Sequence, residues 1–586
     1  MSKLTESVAA LRQNTRQWKA FQVQGHCVVL AAPGSGKTKL LTTRFASDLL
    51  TKIPRPHGAA CITLTNPATD ELRRRLQDLG VEPRSTLLVG TVHGFALRRI
   101  VLPFARVAGR PELADLRIAS KQQQNAAFNQ AIGGVFARNE QRFVRSTIEI
   151  NRRRLADDTE WARFGDRIRE AARRYEALLR SQGLIDFDDV VTAAVHFVEQ
   201  HQIIRRALTA EYPYLYIDEY QDLAPGLDRL VRALCFDYAV NAELFAVGDP
   251  DQAVFGFTGS RPELLIELAN RAGVTPVQLD HNYRCAAEII RIANRMLPGH
   301  REVRGQRDGG SVKAMHCPEG FDQQCRAAAD IASQAQARGV PLHEIVAICP
   351  TNEQCQQLAD MFRRRGLHAS VRGAEYRFTQ ATSFVEGCAT WAVHGHEVSN
   401  YRLATLLGQW RSLLGPRWER QADTALTALL LDYADKGTAP ARQLLGDLLD
   451  LGMRRALAAP ALADDAGEIN LMQQAFTGGA LAQLTVDGLA ERALRTDRVE
   501  VTTMTSSKGL EFDMVLILGM EENAVPHFGA KNDVEQLQEE RRKFYVSMTR
   551  ARDEVKIFFS GFTLWPSGDR NFGGPSRFLK EIGLIA

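Results

Sequence analysis

The stretch Ala31–Leu41, AAPGSGKTKLL, directly follows the apolar run Val28–Leu30 and decides the fold. Glycines at 34 and 36 let the backbone turn so that successive N–H groups face one point, an arrangement that receives phosphate oxygens. A helix beginning at Lys37 would add the positive end of its dipole there. The strict pattern G-x-x-x-x-G-K-[ST] begins with glycine, whereas this stretch begins with Ala31, whose small side chain serves the same tight turn. A strand before the loop and a helix after it supply the context that a phosphate loop requires. The loop then comprises Ala31, Ala32, Pro33, Gly34, Ser35 and Gly36. Lys37 is placed to reach β- and γ-phosphates, and Thr38 to hold Mg²⁺.

Outward from the loop the chain alternates. A polar helical stretch, TRQWKAF, precedes it, and KLLTTRFASDLL follows as an amphipathic helix. AACITLT from Ala59 reads as a second strand, NPATDELRRRL as a helix, and TLLVGTVHGF from Thr86 as a third strand. Such alternation predicts a parallel sheet covered by helices. Residues 100–185 read as helical and arginine-rich. Strands return at Tyr212–Tyr220 and Glu243–Asp249, and VQLD, SVKAMH and IVAICP open a further strand-and-helix region near residue 276. Residues 381–495 are rich in Leu and Ala and carry no strand pattern, after which VEVTTMT and MVLILGM restore strands. The expected fold is α/β, with two sheets each interrupted by a mostly helical insertion.

Composition sets the bounds. A chain of 586 residues exceeds one hydrophobic core. Its 45 % apolar and 24 % charged residues are those of a globular protein, and a net charge of +4 does not by itself indicate nucleic acid. Arginines concentrate in Ala137–Asp158 and Arg163–Arg180, where interleaved acids leave two readings open: solvated mixed-charge helices, or a phosphate-tracking surface. Nine cysteines lie without a C-x-x-C pair, which predicts reduced, mostly buried thiols. The N-terminus lacks a signal-peptide core and no run approaches a membrane span, so a soluble, cytoplasmic chain is expected.

Two further motifs share the chemistry of the loop. YLYIDEYQD ends a strand on two acids: Asp218 suits the Mg²⁺ shell, and Glu219 suits positioning and deprotonating an attacking water. AVGDPDQAVFGF ends another strand on polar groups, where Gln252 is placed to contact the γ-phosphate and report its loss.

These three motifs, in this order and wording, resemble superfamily 1 helicases of the UvrD/Rep/PcrA type, a family that accepts alanine at the first loop position. NTRQWKAF resembles its Q motif, TLTNPATDELRRRL and GTVHGF its motifs Ia and Ib, and GLIDFDDVV the segment before motif II. LDHNYRCAAEIIRIAN resembles motif IV, TTMTSSKGLEFDMVLILGMEENAVPH motif V, EERRKFYVSMTRAR motif VI, and PSRFLKEI the usual C-terminal ending. The resemblance spans nearly the whole chain. It implies two RecA-like P-loop domains: 1–98 with 186–275, and 276–380 with 496–586. Their helical insertions would be 99–185 and a shortened 381–495.

The resemblance also assigns residues. Gln17 would meet the adenine edge and Tyr283 would stack on the base. Arg284 and Arg550 would reach the γ-phosphate of ATP, and Glu511 the ribose or the domain interface. Guanidinium groups suit the charge of phosphoryl transfer, where an arginine finger is worth roughly 10³–10⁵ in rate. Single-stranded DNA would lie against Thr65, Asn66, Thr91, His93 and Thr505, with Phe255 and Phe257 stacking on bases. The chain departs from the family at Pro67 (usually lysine), at Phe257–Gly259 (usually W-R-G) and at Thr505 (usually histidine). Each change removes a donor or aromatic surface from the DNA path while leaving the phosphate contacts in place.

The implied activity is an ATP-driven translocase and helicase on single-stranded DNA and on junctions between single and double strands, with 3′ to 5′ polarity. An alternative is a DNA-stimulated motor or sensor subunit that works with a nuclease or another repair or defence partner and unwinds weakly alone. A module that holds nucleotide without turnover conflicts with the complete set Lys37, Asp218, Glu219, Gln252, Arg284 and Arg550. A small-molecule kinase conflicts with the arginine motifs far down the chain.

Overall fold

The computed structural model describes residues 2–585 except 54–55, 83, 85, 238–240, 257–258, 298–301, 373–374, 396–400, 460–461, 479–480, 495–497 and 565–569. Labelled in chain order, the strands of the first sheet are β1 (His26–Ala31), β2 (Ala59–Thr63), β3 (Leu87–Thr91), β4 (Tyr214–Ile217), β5 (Glu243–Gly248) and β6 (Val274–Leu279). Their order across the sheet is β3-β2-β4-β5-β1-β6, and the pairings are parallel. β1 lies between β5, with Cys27 opposite Phe245, and β6, with Ala31 opposite Leu279. A strand flanked on both sides and covered on both faces has to be apolar, which is why VVL reads as a continuous run.

β1, β4 and β5 are parallel neighbours, so their C-terminal ends share one edge of the sheet. That edge carries the loop after Ala31, the acids after Ile217 and the polar turn after Gly248, as expected where an open α/β sheet builds a site. Below it, Val29, Phe45, Tyr216, Phe245 and Leu279 share one core. β6 pairs with β1 over its whole length, so the first sheet runs through Leu279 and the expected boundary at 275/276 falls inside a strand.

The second six-stranded sheet comprises β7 (Ser311–His316), β8 (Ile345–Cys349), β9 (Ala369–Val371), β10 (Val499–Thr503), β11 (Phe512–Ile517) and β12 (Ala551–Phe559). The fold class is therefore the expected one: two parallel-sheet α/β modules of RecA-like type with helical insertions. The first insertion, between β3 and β4, is mostly helical, and every regular element between β9 and β10 among the described residues is a helix.

The chain divides into two compact units. One comprises Met1–Leu116, Gln123–Gln324 and Met504–Ala586; the other comprises Arg117–Gln122 and Cys325–Thr503. In the first, β12 pairs in parallel with β7 and β11; in the second, β10 pairs in parallel with β8 and β9. The helical part of the second unit has its own core, in which Trp410 is fully buried and stacks on Phe384 at 5.4 Å between ring centroids.

The arginine-rich helices Val144–Arg154 and Asp166–Ser181 resolve toward the mixed-charge reading. Arg145 pairs with Glu149 at 2.9 Å, Arg167 with Glu140 at 3.0 Å, and Arg174 with Glu170 at 2.6 Å. Arg152 is different. It is buried and reaches Asp186 and Asp189, the latter at 2.8 Å, with Glu176 at 3.1 Å and Asp188 at 3.8 Å. This cluster ties the first insertion to the helix Phe187–Gln200. All nine cysteines are buried and free of disulfides, and burial pushes the Cys27 thiol up to about 12. No helix among the described residues is long and apolar enough to cross a membrane.

Candidate functional site

The loop after β1 is shaped by its glycines and by what packs on it. Gly34 (φ 62°) and Gly36 (φ 78°) both occupy the left-handed region. A Cβ on Gly34 would lie 2.7 Å from Arg284 Cβ, and one on Gly36 would lie 2.9 Å from Gln17 Nε2. Glycine is needed at these positions for conformation and for space. The helix Lys37–Thr51 starts directly afterwards, with Gly36 as its N-cap.

Two segments brace the loop. Asn14 caps the helix Thr15–Gln22 by accepting from Arg16 N and Gln17 N, and donates to the Tyr283 hydroxyl at 2.5 Å. Gln17, 6 % exposed, donates to the Ser35 carbonyl at 2.7 Å. From the strand His281–Ala286, Asn282 Nδ2 donates to the Pro33 carbonyl at 2.7 Å, and Tyr283 N donates to the Gly34 carbonyl at 2.9 Å. Tyr283 keeps 39 % of its surface exposed beside the loop. Q-motif and motif IV residues therefore meet on the same few carbonyls.

The charged centre lies beneath. Lys37 Nζ bonds both carboxylate oxygens of Glu219, at 2.9 and 3.0 Å. Burial works against the Lys37 charge, but the carboxylates of Glu219, Asp249 and Asp218 outweigh it and raise its pKa. Burial likewise opposes ionisation of Glu219, yet Lys37 and Lys508 bring its pKa down to about 2. Asp218 goes the other way: burial and the Glu219 charge push it up to about 6, while Thr38 Oγ1 donates to its Oδ2 at 3.2 Å. Glu219 sits at φ 54°, a left-handed conformation uncommon for a residue with a side chain. Strain of this kind gathers where a side chain has to be aimed.

A hydrogen-bonded line leads away from Glu219. Gln221 Nε2 donates to Glu219 Oε2 at 2.5 Å, and Gln221 Oε1 accepts from Asp249 N at 2.9 Å. Gln252 Nε2 donates to Asp249 Oδ2 at 2.6 Å, and Gln252 Oε1 accepts from Arg550 Nη2 at 3.2 Å. Arg550 is only 1 % exposed. It also donates to the Val546 and Leu510 carbonyls at 2.9 and 3.2 Å, and no described carboxylate forms an ion pair with it. Burial and then the Arg284 charge lower its pKa to about 9. Arg284 itself bonds Glu511 at 2.9 Å, and Arg552 bonds the other oxygen of Glu511 at 3.1 Å. Burial favours protonation of Glu511, but these two guanidiniums reverse the balance and hold its pKa below the usual carboxylate range.

The residues expected along a nucleic-acid path are more scattered. Thr65 is exposed and caps the helix Asn66–Asp78 by accepting from Ala68 N at 3.3 Å. Thr91 caps the short helix Val92–Phe95 by accepting from Gly94 N at 3.1 Å. His93 packs edge-on against Phe187 at 5.6 Å, and burial followed by the Arg153 charge brings its pKa down to about 4, so it is neutral at pH 7. Phe255 is half-buried, with Lys508 Nζ 5.2 Å above its ring, and Thr505 is half-buried. Phe257 and Thr258, and the side chains of Asn66 and Pro67, lie outside the described residues.

Sequence reasoning missed several members of the site. Lys508 holds both Asp222 oxygens at 2.6 and 2.8 Å and donates to the Gln252 carbonyl at 2.7 Å. The motif-V wording SSKGLEF contains this lysine, so its signal was present. Gln221 and Asn282 likewise sit inside quoted motifs. Asn14 carried the signal of an N-cap, which says nothing about Tyr283.

Comparison with known proteins gives the same grouping. Residues 13–273 match the model of the UvrD/REP helicase N-terminal domain, and residues 470–560 match that of the UvrD-like helicase C-terminal domain. The ATP-dependent DNA helicase UvrD2 of Mycobacterium tuberculosis is 28 % identical, over 99 % of this chain and 83 % of its own length. The ATP-dependent DNA helicase Rep of Escherichia coli is 24 % identical, over 98 % of this chain and 94 % of its own. The ATP-dependent DNA helicase PcrA of Staphylococcus aureus is 22 % identical, over 97 % and 86 %. Matched by two family models that together cover more than half of its length, and aligned with these proteins over nearly all of its own length, the chain belongs to the UvrD/Rep family of helicases.

Proposed function

We propose that this chain is an ATP-dependent DNA translocase and helicase that moves along single-stranded DNA in the 3′ to 5′ direction, with junctions between single and double strands as its targets. The observation that carries the reading is the unbroken line from Lys37 through Glu219, Gln221, Asp249 and Gln252 to Arg550. It joins the residues suited to phosphate binding and water activation to a buried guanidinium without an ion-pair partner among the described residues. A γ-phosphate is the anion that such a guanidinium lacks.

In this reading Gln17 and Tyr283 hold the base, the loop Ala31–Gly36 holds the phosphates, and Lys37, Arg284 and Arg550 carry the charge that develops in phosphoryl transfer. Phosphate drawing Lys37 away from Glu219 would release that carboxylate to orient the attacking water. Glu511 keeps Arg284 aimed. Thr38 and Asp218 fit Mg²⁺, because one hydroxyl and one carboxylate pushed up to about 6 by burial and a neighbouring acid leave the remaining positions to phosphate oxygens and water. Bound there, Mg²⁺ neutralises phosphate charge. Thr65, Asn66, Thr91, His93, Phe255, Phe257 and Thr505 form the strand path, which grips through stacking and backbone contacts and not through base identity. The chain works in the cytoplasm.

The test is steady-state ATP hydrolysis with and without single-stranded DNA, beside an Arg550→Ala control. Stimulation that disappears in the control is the expected result. A rate indifferent to DNA would remove the motor reading. Displacement of blocks from the 5′ or 3′ end of a single strand then reads the polarity.

A further inference from the structure

Residues 252–256 run from Gln252, the proposed γ-phosphate sensor, past Phe255, and they are gripped by side chains from the last part of the chain. Lys508 Nζ donates to the Gln252 carbonyl at 2.7 Å. One residue on, Arg542 Nε donates to the Ala253 carbonyl at 2.7 Å. At Gly256, a Cβ would lie 2.2 Å from Glu539 Oε2, so a side chain there and the Glu539 carboxylate on the helix Val534–Met548 could not both keep their places. Arg542 and Glu539 are one turn apart or less on that helix, and the helix ends two residues before Arg550.

Burial lowers the pKa of Arg542 despite the acids around it, Glu539, Glu263, Asp251 and Glu535. A guanidinium is being held partly out of water to reach one backbone carbonyl. A charge-assisted bond of this kind is roughly twice as strong as a neutral one. It fixes the segment between Gln252, whose side chain meets Arg550, and Phe255, whose ring carries Lys508.

We propose that Arg542 is a positioning residue for coupling. It locks the Ala253–Gly256 segment to the helix that delivers Arg550, so that movement of Arg550 with nucleotide state shifts Phe255 on the DNA strand. The proposal rests on the motor reading above and deepens it. Arg542 is not among the residues assigned above to the nucleotide or to the strand path, which separates its role from theirs.

The test measures ATP hydrolysis by the full chain over a titration of single-stranded oligothymidylate, for wild type, Arg542→Gln, Arg542→Lys and Gly256→Val. The thermal transition of each protein is recorded in parallel. The expected result for Arg542→Gln is a DNA-stimulated to basal turnover ratio at least fivefold lower than wild type, with KM for ATP within twofold. Arg542→Lys, which keeps a cation able to reach the carbonyl, should recover most of the ratio. Gly256→Val, which sets a branched side chain against the Glu539 carboxylate, should lower it. A ratio within twofold of wild type in Arg542→Gln overturns the proposal, as does a loss that lysine does not restore. If Arg542→Gln fails to fold, an undiminished ratio in Gly256→Val overturns it instead. A wild-type chain that DNA does not stimulate is a different result: it removes the motor reading, and the coupling role with it.

Discussion

Replacing Arg550 by methionine should make the nucleotide-free protein more stable while destroying its activity. Arg550 is buried, its described partners are uncharged oxygens, and its pKa is lowered to about 9. At about 1.4 kcal/mol per pH unit, that displacement corresponds to roughly 5 kcal/mol against the charged form. Methionine removes the charge and fills most of the same volume. It also leaves the Leu510 carbonyl and Gln252 Oε1 without this donor, at roughly 1 kcal/mol each, whereas the Val546 carbonyl still accepts from Thr549 Oγ1. The net expectation is a gain of about 3 kcal/mol, within the range seen when buried charges are replaced by apolar groups. For a unit of this size, that raises the thermal transition by roughly 2–4 °C.

The assay is differential scanning calorimetry without nucleotide, paired with ATP turnover, which should fall at least about 10³-fold. pH supplies a second handle. A base whose folded pKa is depressed carries its full penalty below about 9. Above that value the folded state releases its proton first, so the unfolded state binds more protons and wild-type stability rises with pH. The advantage of Arg550→Met should therefore be constant from pH 6 to 8 and shrink above pH 9. A methionine variant that melts below wild type would refute the reasoning, since the guanidinium would then be a net structural asset. Turnover within tenfold of wild type would refute its role.

Three further outcomes follow from the same geometry. Glu219→Gln should bind ATP yet turn it over at least about 10³-fold more slowly; hydrolysis at a wild-type rate would remove Glu219 as the base. Arg152→Met should destabilise the first unit by about 3–5 kcal/mol by leaving Asp186, Asp188 and Asp189 without their buried partner. Asp188 and Asp189 are already raised to about 6, so the folded variant takes up protons on acidification and its deficit in urea titrations should shrink from pH 7 to pH 5; a deficit independent of pH would contradict the cluster's charge balance. Trp410→Ala should cost about 3–5 kcal/mol in the helical core of the second unit, read as faster limited proteolysis within residues 380–494, and unchanged cleavage would contradict its central place.

What the sequence disclosed, and what it hid, follows from the range of each interaction. The phosphate loop was legible because its requirements are local: a buried strand, two glycines able to take positive φ, and a helix start. The acids after β4 and the turn after β5 were legible for the same reason. VHGF read as the end of a strand, but Thr91 Oγ1 accepts from Gly94 N and caps a short helix there, a choice the apolar pattern does not carry. The first sheet reaches Leu279 because β6 pairs with β1, and pairing across almost 250 residues leaves no local mark near 276. The arginine runs were ambiguous in sequence because an arginine's partner decides its meaning. Arg152 and Arg145 lie seven residues apart in one helix, yet one is buried among aspartates and the other makes an ordinary surface pair. The contacts of Lys508, Arg542 and Arg550 with residues 222 and 252–253 join positions more than 250 apart, and only the fold brings them together.

The hydrogen bonds around Glu219 and Arg550 also bear on how turnover and movement are linked. Glu219 is the group suited to activating water, yet both its oxygens are engaged, by Lys37 and, at Oε2, by Gln221 as well. Arg550 is the group suited to the transition-state charge, yet its contact toward this centre is through Gln252. The same line of hydrogen bonds thus engages both base and finger. An anion entering between them would compete with Glu219 for Lys37 and with Gln252 for Arg550. Both releases favour hydrolysis, and both alter the segment at 252–253 that Lys508 and Arg542 hold by its carbonyls. Turnover and movement would then share one set of hydrogen bonds, so that a chain which hydrolysed ATP without shifting Phe255 would have to break the line at Gln252 alone. A Gln252→Ala variant makes that break: it should lower DNA stimulation more steeply than ATP affinity, and a proportional loss of both would show that the line conducts nothing beyond binding.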